Sequence, residues 1–196
     1  MGYQTEFSGV INVDPPLSAE EIDYLNKFAT TRRMDRANGP YFVGGSGFCG
    51  QGIDSDVISH NNPCSGQPGL WCQWVPTEDG KGIEWDGNEK FYDSVEWMQY
   101  IIDHFIGEAP LAKSELPFLK SHTLKGEISA QGEDNEDTWF LIVKDNKVTR
   151  GCNPITPSDK EEKPEVEEDA GITVNTKLKE NGGIELFPKT GNRFNL

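Results

Sequence analysis

The sequence predicts an α+β domain folded as a two-layer sandwich, and three observations predict it. Two segments repeat apolar residues at helical spacing, several others alternate as strands do, and their order along the chain is strand, helix, hairpin, helix, strand and strand. At 196 residues the chain can enclose one full core with an appendage, since two small domains would each bury too little surface to be stable. Its five Trp, five Tyr and ten Phe fall mostly before position 140, which places the core there.

The opening strand spans Tyr3 to Val13. Tyr3, Thr5, Phe7 and Gly9 share one parity, Val10, Ile11 and Val13 form a β-branched stretch, and Gly9 marks an irregularity. Pro15 and Pro16 end it. Ser18 is a good N-cap because its oxygen can accept an orphan amide bond, and Glu21 three residues on completes a capping box. Ile22, Leu25, Phe28 and Ala29 then define one buried helical stripe, with Leu17 placed to pack on Ile22. The helix is expected from Ala19 to Arg32, leaving Arg32 and Arg33 near its negative end.

Residues 34–69 break every period. Eight glycines from Gly39 to Gly69, with Pro40, Pro63 and Pro68, make a long glycine-rich insertion, with one short strand expected at Tyr41–Val43. Loops of this length inside compact domains tend to be functional or disordered. Tyr41, Phe42, Phe48 and Trp71 supply enough apolar surface for it to pack as an ordered flap.

A hairpin follows, Leu70–Val75 and Gly82–Trp85, turning at Thr77-Glu78-Asp79-Gly80. The second helix is expected over Ser94–Ile106, where Phe91, Val95, Met98, Ile101, Ile102 and Phe105 form a broad apolar face; Gly107 and Pro110 end it. Thr123–Ala130 alternates as a half-buried strand, and Trp139–Val143 is the strongest strand of the chain, with a further short one at Val148. This order fits a ferredoxin-like βαββαβ sandwich carrying an extra C-terminal hairpin strand and the insertion.

Residues 1–150 are therefore the domain. Residues 151–196 read as an acidic, largely flexible tail, because Pro154, Pro157, Pro164 and seven carboxylates between Asp159 and Asp169 cannot collapse around a core. Ile172–Val174 and Ile184–Phe187 flank Asn181-Gly182-Gly183 and can form a terminal hairpin.

The formal net charge of -15 argues against extended nucleic acid and anionic membranes and favours a basic protein partner. The acidity belongs to the domain: residues 1–150 hold 24 acidic and 12 basic side chains, a balance of -12, and residues 151–196 hold 9 and 6. No basic-then-apolar leader opens the sequence and no apolar run approaches a membrane span, so a cytoplasmic protein, in the host cytoplasm if viral, is expected. Four cysteines in such a chain read as free thiols before disulfides. No cofactor is expected.

The most sharply composed segment is Gly66 to Trp74 continued by Ile83 to Tyr92. Trp71, Trp74 and Trp85 there allow two readings, an aromatic core layer or a platform on which a flat ligand stacks. Arg32, Arg33 and Arg36 are the one dense cationic cluster, and with the three tryptophans they are the candidate ligand-binding residues, suited to a single nucleotide. Cys49, His60, Cys64 and Cys72 have the chemistry for zinc, but no close Cys-x2-4-Cys pair supports them. Catalytic residues are not identifiable: Gly44-Gly45-Ser46-Gly47 lacks the lysine and hydroxyl of a phosphate-binding loop, and no nucleophile elbow or His-Glu-x-x-His helix occurs.

The segment Gly66 to Tyr92, with Gly126-x-Ile128-x-Ala130-Gln131-Gly132-Glu133-Asp134, resembles uncharacterised small proteins of bacteria and their phages. The resemblance implies a bacterial or viral setting and brings no catalytic residues. The function expected is an accessory or interaction protein that binds a basic partner through an acidic surface. The alternative is a small-ligand or nucleotide-binding domain, or a hydrolase, using the Trp-rich hairpin and the flap.

Overall fold

The computed structural model describes residues 2–152, 174–178 and 184–188. The chain forms two units, Met1–Ile155 and Thr156–Leu196. The first contains β1 (Thr5–Asp14), α1 (Ala19–Thr30), β2 (Met34–Arg36), β3 (Val57–Pro63), β4 (Trp74–Pro76), β5 (Gly82–Trp85), α2 (Ser94–Ile101), β6 (Thr123–Gly132), β7 (Thr138–Lys144) and β8 (Lys147–Gly151). In the second, β9 (Val174–Leu178) pairs antiparallel with β10 (Ile184–Pro188), the terminal hairpin expected there. The acidic linker and the flexibility expected of the tail lie outside the described residues.

The fold is a mixed α+β one with two helices and open sheets. Six strands join antiparallel in the order β4-β5-β1-β6-β7-β8. Alternation decides which face is covered: Phe7, Ile11 and Val13 of β1 are buried while Glu6, Ser8, Val10 and Asn12 between them are exposed. Leu124, Ile128 and Ala130 of β6 and Trp139, Leu141 and Val143 of β7 continue the buried face, and they share one core with Leu25 and Phe28 of α1 and Trp97, Met98 and Ile101 of α2. Phe7 is its aromatic hub, with Trp74, Trp85, Phe91 and Trp139 each edge-on within 5.8 Å.

The capping box forms as expected. Ser18 Oγ accepts the Glu21 amide at 3.4 Å and the Glu21 carboxylate accepts the Ser18 amide at 2.8 Å. The helix stops at Thr30, two residues early, because the Arg32 and Arg33 amides bond outward to Cys49 O and Leu70 O at 2.9 Å. After Ile101 the second helix widens into a π-turn, Ile102–Ile106, which the apolar periodicity does not reveal.

Other departures are tertiary in origin. Tyr41–Val43 is not a strand, and the insertion instead holds the β2–β3 pair. The expected strand Leu70–Val75 shortens to Trp74–Pro76, since Leu70 O is taken by Arg33 and the Gln73 side chain by Trp85 Nε1 and Glu89 O. The strands expected at Trp139–Val143 and at Val148 are β7 and β8. The irregularity at Gly9 is real: Gly9 and its near-opposite Gly126 have φ of 128° and 146°, inside an otherwise continuous β1–β6 ladder.

Candidate functional site

Residues 34–69 form the longest irregular stretch, and its seat on the core is built from side chains that hold backbone carbonyls. Three consecutive carbonyls are gripped in turn: Pro40 O by Gln67 Nε2 at 2.7 Å, Tyr41 O by the Tyr24 hydroxyl at 2.9 Å, and Phe42 O by Arg33 Nη2 at 2.6 Å. These bonds replace the ladder that a strand at Tyr41–Val43 would have made. Arg33 Nε also donates to Thr31 O at 3.0 Å, and the guanidinium lies 4.3 Å over the Phe28 ring. Burial pushes the Arg33 pKa down to about 10 and that of the neighbouring Cys72 thiol up to about 12.

The insertion is fastened a second time at the π-turn. The Tyr41 hydroxyl lies 2.7 Å from His104 Nδ1, and the imidazole stacks on Tyr100 at 4.0 Å between centroids. Burial lowers the His104 pKa from its ordinary value.

Beyond this seat the chain closes a tight loop around Arg36. Its Nη1 donates to both oxygens of Asp56 at 2.9 Å and lies 3.4 Å from Asp54, while Nη2 donates to Gly50 O at 2.5 Å. Gly52 N to Ser46 O at 2.7 Å and Ser46 N to Asp54 Oδ2 at 2.9 Å shut the loop. Bonds from Ser46, with Arg36 adding to them, hold the Asp54 carboxyl below its ordinary range. With its interior filled by backbone and a guanidinium, the loop turns its apolar side chains outward: Phe48 is 84% exposed, Ile53 96% and Ile58, on β3, 67%. Phe48 was expected to help the flap pack; it does not.

The sequence-derived candidates differ in exposure. Arg33 and Arg36 are buried and internally bonded, so they do not form a cationic surface, and Arg32 reaches Gln51 Oε1 at 3.5 Å. A cluster that reads as a phosphate site is internal scaffolding of the insertion. Trp74 is buried, its indole N–H donating to Ser94 O at 2.8 Å, and Trp85 is half-buried against Phe7. Trp71 is 37% exposed. Cys64 and Cys72 are buried, Cys49 is half-buried and His60 is exposed. Among the described residues no group of three His, Cys, Asp or Glu is arranged to hold a metal.

One polar centre is absent from the sequence reading. Glu21 and His122, both wholly enclosed, meet at 3.1 Å through Oε1 and Nε2, and His122 Nδ1 lies 2.7 Å from Pro15 O. The His122 amide and carbonyl are also engaged, by Gly107 O at 3.2 Å and Asn146 Nδ2 at 3.0 Å. A surface cavity of about 310 Å³ lined by Asp14, Glu108 and Asp145 adjoins His122. The pair ties α1, the Pro15 turn and the start of β6 together. The capping box signalled Glu21 as a cap, but no local pattern links it to a histidine 101 positions away.

No family model, no curated protein and no solved structure matches the chain. Among the described residues, no helix is long and apolar enough to cross a membrane.

Proposed function

We propose that this chain is a non-enzymatic accessory protein of bacterial or phage origin that binds a basic protein partner through an acidic surface, in the cytoplasm. The observation that carries the reading is charge placement. Residues 1–150 hold twice as many acidic as basic side chains, 24 against 12, and two of the basic ones, Arg33 and Arg36, are enclosed where they meet internal partners. The remaining field speeds encounter with a cationic partner and suppresses contact with anionic ones.

We read the main unit as a ferredoxin-like sandwich. The order β4-β5-β1-β6, with α1 leading from β1 toward β4 and α2 joining β5 to β6, supports that reading, and β7 and β8 extend it.

The test is capture of partners by the immobilised full chain, followed by binding of each purified candidate at about 50 and about 500 mM NaCl, where screening differs several-fold. A partner of basic isoelectric point whose affinity falls by about tenfold or more across that range supports the reading. Partners that are acidic or indifferent to salt overturn it.

A further inference from the structure

We infer that the insertion is the contact element of this protein, with Phe48, Ile53 and Ile58 as anchors for an apolar pocket rimmed by lysine and arginine on the partner. The inference rests on the basic-partner reading and adds where the partner sits and what its surface must offer. Large apolar side chains scattered singly over a surface call for no explanation, but three within residues 48–58, two on the loop and Ile58 at the start of β3, at 84%, 96% and 67% exposure, do. Among the described residues none of the three belongs to the core or packs against it.

The loop is also prepared for binding. Its backbone is closed by the Ser46–Gly52 and Ser46–Asp54 bonds, held from within by Arg36 and Gly50 O, and seated by the three gripped carbonyls at 40–42. Anchors presented on a fixed backbone forfeit little freedom on docking, which is where exposed loop residues otherwise lose affinity. Aromatic residues, Phe among them, are enriched at protein interfaces relative to the rest of the surface.

Charge selects the occupant. Residues 34–69 carry Asp35, Asp54 and Asp56 against Arg36, which is buried, so the loop adds no exposed cation to a chain of net charge -15. A second copy would bring the same sign of charge and the same knobs. A basic protein with an apolar recess meets both requirements.

The experiment uses the full chain and two synthetic probes: an amphipathic lysine–leucine peptide, and the same peptide with every leucine replaced by serine. Binding is followed by amide NMR shifts and by titration, for the wild type, for Phe48→Ser and Ile53→Ser singly, and for the triple variant Phe48→Ser, Ile53→Ser, Ile58→Ser. Because these side chains are solvent-facing, the unfolding midpoint of each variant is expected to match the wild type. The expected result is that the leucine peptide shifts amides of residues 46–58, that each single variant weakens it several-fold, and that the triple variant weakens it by about tenfold or more. The serine peptide should bind weakly and equally to all. If the leucine peptide shifts another surface, or binds the triple variant as tightly as the wild type, the insertion is not the contact element although the basic-partner reading survives. If neither peptide binds the wild type, that broader reading fails first.

Discussion

Glu21 accepts four hydrogen bonds while wholly enclosed: from the Ser18 amide and hydroxyl, from the Lys120 amide, and from His122. Burial pushes its pKa up, but the bonds from Ser18, His122 and Lys120 outweigh it, and the net shift is downward from 4.5. A carboxyl lowered on folding contributes stability that is fully present above its unfolded value and is lost as pH falls through the folded one. Urea unfolding across pH 7 to 3 should therefore show a steep loss below about pH 4.5. Glu21→Gln should be less stable by about 2–3 kcal/mol near neutrality, because an amide cannot accept every bond that the enclosed carboxylate takes from Ser18, Lys120 and His122, and it should show a shallower acid limb. An unchanged limb would remove Glu21 as its source. The two buried arginines offer a second comparison. Arg36 faces two carboxylates, whereas the bonds of Arg33 run to carbonyls. Arg36→Met should cost about 2–3 kcal/mol, the partly solvated Asp54 and Asp56 losing their cation, and Arg33→Met less, because it also removes the expense of enclosing a charge. Unfolding midpoints of the two variants check the order.

At the scale of elements, the β1–β6 ladder turns on two glycines. A Cβ at Gly9 would come within 2.8 Å of Glu127 O, and one at Gly126 within 3.1 Å of Val10 O, each at a φ that side chains avoid. Gly9→Ala and Gly126→Ala should each cost about 1–3 kcal/mol, read from chemical denaturation; a neutral effect at both would mean that glycine is not required at these positions. Local signals located these elements unevenly. The capping box and the Ile22-to-Ala29 stripe set α1 correctly at its start, since caps and periodicity are written within one turn. Its end was misplaced because distant acceptors, Cys49 O and Leu70 O, draw the next amides away. β3 was missed because Val57–Pro63 is mostly polar and pairs only with three residues of β2 in broken register.

For the whole molecule, like charge on a folded surface opposes compaction, and salt relieves it. Thermal unfolding of the full chain in buffer should rise by a few °C, about 2–5 °C, as NaCl increases from low to moderate concentration. A midpoint that falls or stays level would show that specific ion pairs, such as those of Arg36, dominate over the net repulsion.

What the sequence determined by itself was everything carried by short-range pattern: the class of fold, both helices, the strands that alternate, the turn residues and the sign of the charge. What only the tertiary structure decided was where groups distant along the chain meet, namely Glu21 with His122, Arg36 with Asp54 and Asp56, and Arg33 with the carbonyls of residues 31 and 42. The physical reason is that periodicity reports how a segment faces its own core, whereas a buried ion needs a partner whose position depends on chain closure. For the same reason three arginines that looked like a ligand site proved to include two internal braces, and Phe48, which looked like packing, stands in water.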